Sequence, residues 1–273
     1  MFAEATEVTL SSGWFLENAW IIPLIPAISF ALIIFFGKRM PKKGSEFGIA
    51  SMLGALVLAA GAAYQWVQRV NGAPEGVFVA PVIRTWTWWQ NGGVSLGIGQ
   101  HVDGLTVCSL LVVAFISTLV QIYSLEYLRG DRRYTHFFAS LTLFSAGMLN
   151  MVVAENMIQL ILGWEIMGLC SFLLIGHWWE EGANSRAALK AFFTTRTGDI
   201  GLLTGTAILY FSLQWRTDSD HHFEIVALWV GIEEVAALAG VSTATVSRAL
   251  RGKDHVSAKA QKKVEDAAAE LGY

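Results

Sequence analysis

The sequence predicts an all-α protein in two parts, a polytopic membrane helix bundle of about six transmembrane helices followed by a small three-helix helix-turn-helix domain. Three observations predict it. Of 273 residues, 54% are hydrophobic and only 15% charged, and the mean hydropathy of +0.48 is one a water-soluble globule rarely reaches, which excludes a simple soluble enzyme. Uncharged runs of spanning length recur through the first four-fifths of the chain. The composition then breaks: residues 1–230 hold 29 charged residues and all 11 tryptophans, whereas residues 231–273 pack 12 charges into 43 residues with no Trp. Net charge is −3, so bulk charge names no partner.

A helix needs about 20 apolar residues to cross the ~30 Å hydrocarbon layer. Residues 18–37, 47–68, 104–124 and 137–154 form uncharged runs of that order, 157–179 is interrupted only by Glu165, and 191–213 holds Arg196 and Asp199 near its start. The lipid bilayer is thus the first partner expected. Tryptophans gather where headgroups should lie, at Trp14 and Trp20, at Trp86, Trp88 and Trp89, and at Trp178 and Trp179. Residues 1–17 carry no Lys or Arg and three Glu, unlike a secretory signal, so the first span is expected to stay in the mature chain. Residues 69–103 read as an extramembrane segment of irregular or short-strand character. Cys108 and Cys170 fall inside spans, as small packing residues rather than a disulfide or metal pair. His177, beside Trp178 and Trp179, reads as an interfacial side chain.

Lys and Arg alternate between loops: four in 38–46, two in 69–103, three in 125–136, none in 155–156 and two in 180–190. Placing the rich loops in the cytoplasm of a multi-pass cell-membrane protein puts the N-terminus outside, and the tail outside as well if all six spans insert.

An ionised group near the bilayer centre costs about 2.5–3.5 kcal/mol on insertion scales, so Glu165, Arg196 and Asp199 need compensation or a purpose. Glu165 stands roughly 12 Å into its span at about 1.5 Å per residue, and Gly163 and Gly168 beside it would let a neighbouring helix approach. A carboxylate at such depth can exchange a proton. Arg196 and Asp199, spaced i, i+3, can meet on one helix face, either as a structural staple or as part of a functional site.

These residues carry a resemblance. Leu162-Gly163-Trp164-Glu165, Gly168-Leu169-Cys170-Ser171-Phe172-Leu173-Leu174-Ile175-Gly176, Lys190-Ala191-Phe192 and Thr195-Arg196-Thr197-Gly198-Asp199 resemble the antiporter-like subunit L (ND5-type) of NADH-quinone oxidoreductase, respiratory complex I. Val102-Asp103-Gly104-Leu105, Tyr127-Leu128-Arg129-Gly130 and His136-Phe137-Phe138-Ala139 fit the same family in the same order, over residues 14–215. The resemblance implies a proton path through Glu165, with Lys190, Arg196 and Asp199 close to it, no catalytic residue, and other membrane-arm subunits as partners. No quinone, flavin, nucleotide or metal motif is present, so no cofactor is expected. Family members continue through further helices bearing a lysine that partners the glutamate. Without such a partner for Glu165, residues 1–215 are expected not to pump protons alone.

Residues 216–231 read as a linker, and its His221 and His222 as solvated rather than metal-binding. Beyond it, Ile232, Val235, Ala236 and Ala239 recur at helical spacing. Gly240-Val241-Ser242 reads as a tight turn with Ser242 as N-cap, residues 243–250 as a second helix, and residues from about Ser257 to Leu271 as a third. Residues 248–263 hold six basic side chains and one acid, Asp254. That is either a solvated face of a small bundle or a phosphate-seeking stripe. The run 235–250, with His255-Val256-Ser257 and 268–273, resembles the headpiece of LacI-family repressors. The resemblance implies DNA as partner, with Thr243, Ala244 and Arg248 at bases and Ser242, Thr245, Ser247, Arg251, His255 and Ser257 at the backbone. Residues 1–215, 216–231 and 232–273 are therefore read as membrane fragment, linker and DNA-binding domain, a chimeric or truncated chain. A membrane-anchored regulator and a subunit L-like protein with an inert tail are the alternatives.

Overall fold

Apolar runs of spanning length become helices. The computed structural model describes residues 12–74, 79–91, 94–216, 236, 238–241, 246 and 258–270. In chain order they form α1 (Trp14–Glu17), α2 (Ile21–Phe36, continued by a 3-10 turn at Gly37–Arg39), α3 (Ser45–Asn71), β1 (Val82–Asn91), β2 (Val94–Val102), α4 (Gly104–Tyr127), α5 (Tyr134–Val152), α6 (Met157–Ile175), α7 (Gly182–Arg216) and α8 (Ala258–Glu270). Ser12–Val67 and Pro81–Phe223 make one compact unit, and Glu224–Tyr273 belongs to a second.

Among the described residues, four helical stretches, Ile21–Arg39, Ser45–Asn71, Gly104–Tyr127 and Met157–Ile175, are long and apolar enough to cross a membrane. They coincide with four of the six predicted spans. The other two predicted spans are also helical but less apolar, and each has a physical reason. α5 opens on the polar Tyr134-Thr135-His136 and packs against α2, α4 and α6, so protein rather than lipid surrounds much of it. α7 is one 35-residue helix that starts nine residues before the predicted span and carries Arg186, Lys190, Arg196 and Asp199 in its first half.

The bundle exposes many apolar side chains and buries polar ones among its apolar core, unlike a soluble protein. On α4 the buried positions include Thr106, Thr118, Gln121 and Ser124, while Phe115, Ile116, Leu119 and Ile122 are exposed. The buried hydroxyls satisfy themselves within the helix, Thr118 donating to Ala114 O (2.7 Å) and Ser124 to Val120 O (2.7 Å). Such an arrangement is stable where the outer solvent is hydrocarbon and every polar group must find an internal partner. α3 joins the core through Ala55, Ala59 and Ala62, small residues that meet Leu16, Ile22, Leu110 and Leu149. Closest approach falls between α5 and α6, where a Cβ on Gly163 would stand 2.7 Å from Gly147 O.

Of the two characters expected for residues 69–103, irregular or short-strand, the structure has the strands, an antiparallel hairpin with Val82 opposite Val102, Asn91 opposite Val94, and a bulge between Thr87 and Trp89. It is held to one end of the bundle by buried amides. Gln100 accepts from Trp20 N (2.7 Å) and donates to Leu16 O (2.8 Å). Gln159 exchanges two bonds with the Gly99 backbone (3.0 and 2.9 Å), and Asn156 donates to Gly97 O (2.8 Å) while capping α6 through Gln159 N (2.9 Å). Each net hydrogen bond is worth about 1 kcal/mol. Asp103 then caps α4, accepting from Thr106 N (2.7 Å).

In the C-terminal unit, Ala236, Ala239, Val246, Val264 and Ala267 form a small core with Val241 against it. Gly240 has φ +64°, and Val241 N donates to Ala236 O (3.0 Å). A left-handed glycine one residue past the helix end, closed by a six-residue backbone bond, is the Schellman stop that the predicted turn requires. α8 coincides with the predicted third helix.

Candidate functional site

Of the charged side chains in the spans, three meet between α6 and α7. Arg196 Nη1 pairs with Glu165 Oε2 and, one turn along its own helix, with Asp199 Oδ2 (3.2 Å). Asp199 is 6% exposed, and its second oxygen accepts from Trp164 Nε1 (2.8 Å). Arg196 lies with its guanidinium carbon 4.7 Å from the centre of the Phe192 ring, and its Nη2 is 3.3 Å from where a Cβ on Gly168 would stand. Gly168 therefore makes room for the guanidinium, whereas Gly163 serves the α5 crossing. The lysine partner expected of family members is a different group; within this bundle the cation beside Glu165 is Arg196. One cation shared by two carboxylates leaves a net charge of −1 when all are ionised, and one added proton makes the group neutral. A proton arriving at either carboxylate also changes the hold of the guanidinium on the other.

Lys190 does not join this group; it is exposed on α7. Six residues before Arg196, it lies some 240° away around the helix. The hydroxyls near the trio bond their own helix, Thr194 to Lys190 O (2.8 Å) and Thr197 to Thr194 O (2.7 Å). Cys170 is buried, as expected of a packing residue, but Cys108 is exposed, and both are free thiols. Among the described residues no group of three His, Cys, Asp or Glu side chains is placed to hold a metal ion.

A second polar cluster, which sequence reasoning missed, joins the α4–α5 and α6–α7 connections. Asp131 accepts from Arg133 N (2.6 Å) and Trp178 Nε1 (2.8 Å) and lies 3.3 Å from His177 Nε2. Burial alone would raise the Asp131 carboxyl, but those donors and the nearby imidazole together hold it below its usual value. His177 is 6% exposed, and burial pushes its imidazole below the usual value despite the opposing pull of Asp131. Arg133 pairs with Glu180 and holds that carboxyl low. The signal in the sequence was Asp131 beside Arg132-Arg133 with Trp178 later, a contact between two loops that spacing does not reveal.

The predicted DNA-reading positions, Ser242, Thr243, Ala244, Thr245, Ser247, Arg248, Arg251, His255 and Ser257, lie outside the described residues, as do His221 and His222. Of the basic stripe, Lys262 and Lys263 are exposed on α8, whereas Val264 and Ala267 are buried.

Helices that expose apolar side chains, bury polar ones and hold a three-membered ion group define a multi-pass membrane protein, with a compact helical unit at its C-terminal end. Comparison with known proteins names the relatives of each part. Residues 88–138 match the family described as NADH-Ubiquinone oxidoreductase (complex I), chain 5 N-terminus, and residues 154–242 the family NADH:quinone oxidoreductase/Mrp antiporter, TM. Residues 231–273 match Bacterial regulatory proteins, lacI family. The chain is 37% identical over 193 residues to F(420)H(2) dehydrogenase subunit L of Methanosarcina mazei, covering 71% of this chain and 27% of that protein. It is 35% identical over 223 residues to NAD(P)H-quinone oxidoreductase subunit 5, chloroplastic, of Anthoceros angustus, covering 80% of this chain and 29% of the relative. The chain thus spans under a third of the length of these curated relatives. In fold it is similar to a chain of the membrane-bound sulfane sulfur reductase, an archaeal respiratory membrane complex (TM-score 0.55, 15% identity, 92% of this chain and 43% of that one). Both resemblances read from the sequence therefore stand: the membrane bundle is similar to the antiporter-like subunit of complex I, and the tail to the LacI headpiece.

Proposed function

We propose that residues 1–215 are the amino-terminal part of a proton-translocating membrane-arm subunit, joined through residues 216–231 to a LacI-type DNA-binding headpiece at 232–273, a chimeric chain. The observation that carries the membrane half is the Glu165–Arg196–Asp199 trio between α6 and α7, a proton-exchanging group whose charge balance one proton resets. In this reading Glu165 and Asp199 hold the proton in turn, Arg196 links them, and Lys190 stands at the cytoplasmic approach to α7. The group works inside an assembled membrane arm with other subunits and does not pump by itself. What supports the headpiece is the lacI family match with the Schellman turn at Gly240 and the small core of Ala236, Val246 and Val264. Thr243, Ala244 and Arg248 are its proposed base-reading residues, and Ser242, Thr245, Ser247, Arg251, His255 and Ser257 its backbone contacts.

The test has two arms. A tagged chain should co-purify with membrane-arm subunits, and Glu165→Gln in that assembly should lower proton pumping measured with a pH-sensitive dye in vesicles; an unchanged rate overturns the proton-path reading. The detergent-solubilised full chain should retard a duplex carrying a repressor-type half-site, with binding that weakens steeply as salt rises. Arg248→Ala should relax base preference, worth about 1–3 kcal/mol.

A further inference from the structure

At the end of the bundle away from the hairpin, the three Lys/Arg-rich connections meet around one cavity of about 690 Å³. Lys38 and Lys43 reach it from the α2–α3 connection, and Arg132 and Arg133 from the α4–α5 connection. No carboxylate lines it. Of the acids near these cations, Asp131 is engaged by His177 and Trp178, Glu180 by Arg133, and Glu46 accepts from Lys42 N (3.3 Å). Among the described residues Lys38, Lys43 and Arg132 form no ion pair, and Arg133 Nη1 is buried without a hydrogen-bond acceptor. The wall behind these cations is apolar: Phe172 and Leu173 from the last turn of α6, and Leu189 from α7. Arg133 itself rests 5.4 Å from the Trp179 ring.

Three cations without ion pairs, Lys38, Lys43 and Arg132, facing an apolar wall at the end of a spanning helix ask for a ligand that is anionic at one end and greasy at the other. We propose that this cavity binds the phosphate of an anionic phospholipid, with the headgroup among Lys38, Lys43, Arg132 and Arg133 and the acyl chains running down Phe172, Leu173 and Leu189. A soluble anion would satisfy the cations equally but would leave the apolar wall uncovered, which is why the lipid is the better fit. The site is independent of the proton-path reading, since none of its residues belongs to the α6–α7 trio.

Native mass spectrometry of the full chain in detergent tests it, with phosphatidylglycerol, phosphatidylcholine and inorganic phosphate as probes. Phosphatidylglycerol should bind at least about tenfold more tightly than phosphatidylcholine. The triple variant Lys38→Ala, Lys43→Ala, Arg132→Ala should weaken it by on the order of a hundredfold, given the attraction of each basic side chain for an anionic headgroup. Leu189→Trp, which fills the mouth without changing charge, should weaken it too, while Lys262→Ala with Lys263→Ala should change nothing. Equal binding of the two lipids, retention by the triple variant, or displacement of phosphatidylglycerol by millimolar inorganic phosphate would each overturn the proposal.

Discussion

His177 shows how a single buried ring ties acidity to stability. Its imidazole titrates below the ordinary histidine value, so the unfolded chain binds a proton more readily than the folded one. The stability this contributes is complete above about pH 6.5, the unfolded value, and is lost as pH falls through the folded value. Asp131, also held low, adds a loss in the same direction at more acid pH, as pH falls below about 4. Thermal unfolding of the wild type should therefore lose stability between pH 7 and 5, and His177→Gln should flatten that slope while leaving the loss near pH 4. A parallel shift of both curves would refute the assignment. The Arg196–Asp199 contact was readable from i, i+3 spacing because a helix repeats every 3.6 residues. That Glu165 joins them depends on how α6 and α7 are rotated about their own axes, which no linear pattern carries. Lys190, though near Arg196 in sequence, stands on another side of α7 for the same geometric reason.

Among the helices, the α5–α6 crossing is the tightest contact, since Gly163 and Gly147 bring the two backbones together. A Cβ at Gly163 would stand 2.7 Å from Gly147 O and 2.9 Å from Met151 N, backbone atoms that cannot swing aside. Gly163→Leu should destabilise the bundle by about 1–3 kcal/mol or more, whereas Gly198→Ala, with nothing within 4 Å, should be neutral or slightly stabilising through helix propensity. Resistance to unfolding by sodium dodecyl sulfate reads the difference, and equal behaviour of the two variants would mean that the helices do not cross there. The spans were readable because run length alone marks a membrane helix. The hairpin was legible only in part: short strands were one of two readings of residues 69–103, and Val82-Ile83, Thr85-Trp86-Thr87-Trp88-Trp89 and Asn91-Gly92-Gly93-Val94 carry strand-forming residues and a two-glycine hairpin signal. Its tryptophans equally suit an interfacial belt, and that competing explanation left the pairing and its register open.

For the chain as a whole, the three basic connections share one end of the bundle and the hairpin with residues 153–156 the other. If the basic end faces the cytoplasm, α7 returns the chain to the hairpin side, where no chromosome lies. Alkaline phosphatase fused after Tyr273 should then be active, and a fluorescent protein at the same position dark. The opposite result would place the headpiece in the cytoplasm and make the chain a membrane-anchored regulator, with α7 failing to cross. Composition breaks near residue 230, and the two family matches overlap across residues 231–242.

The bridge from Arg196 to Glu165 also bears on how the chain enters the bilayer. Alone, α7 would present an arginine and an aspartate to lipid, each costing about 2.5–3.5 kcal/mol on insertion scales, and α6 would present an unmatched glutamate. With the guanidinium seated between the two carboxylates, much of that cost disappears, but only when both helices are present together. α6 and α7 are thus expected to leave the translocon as a pair, α6 waiting at the lateral gate until α7 has been synthesised. The group proposed to exchange protons would then also time the assembly of the helices that hold it.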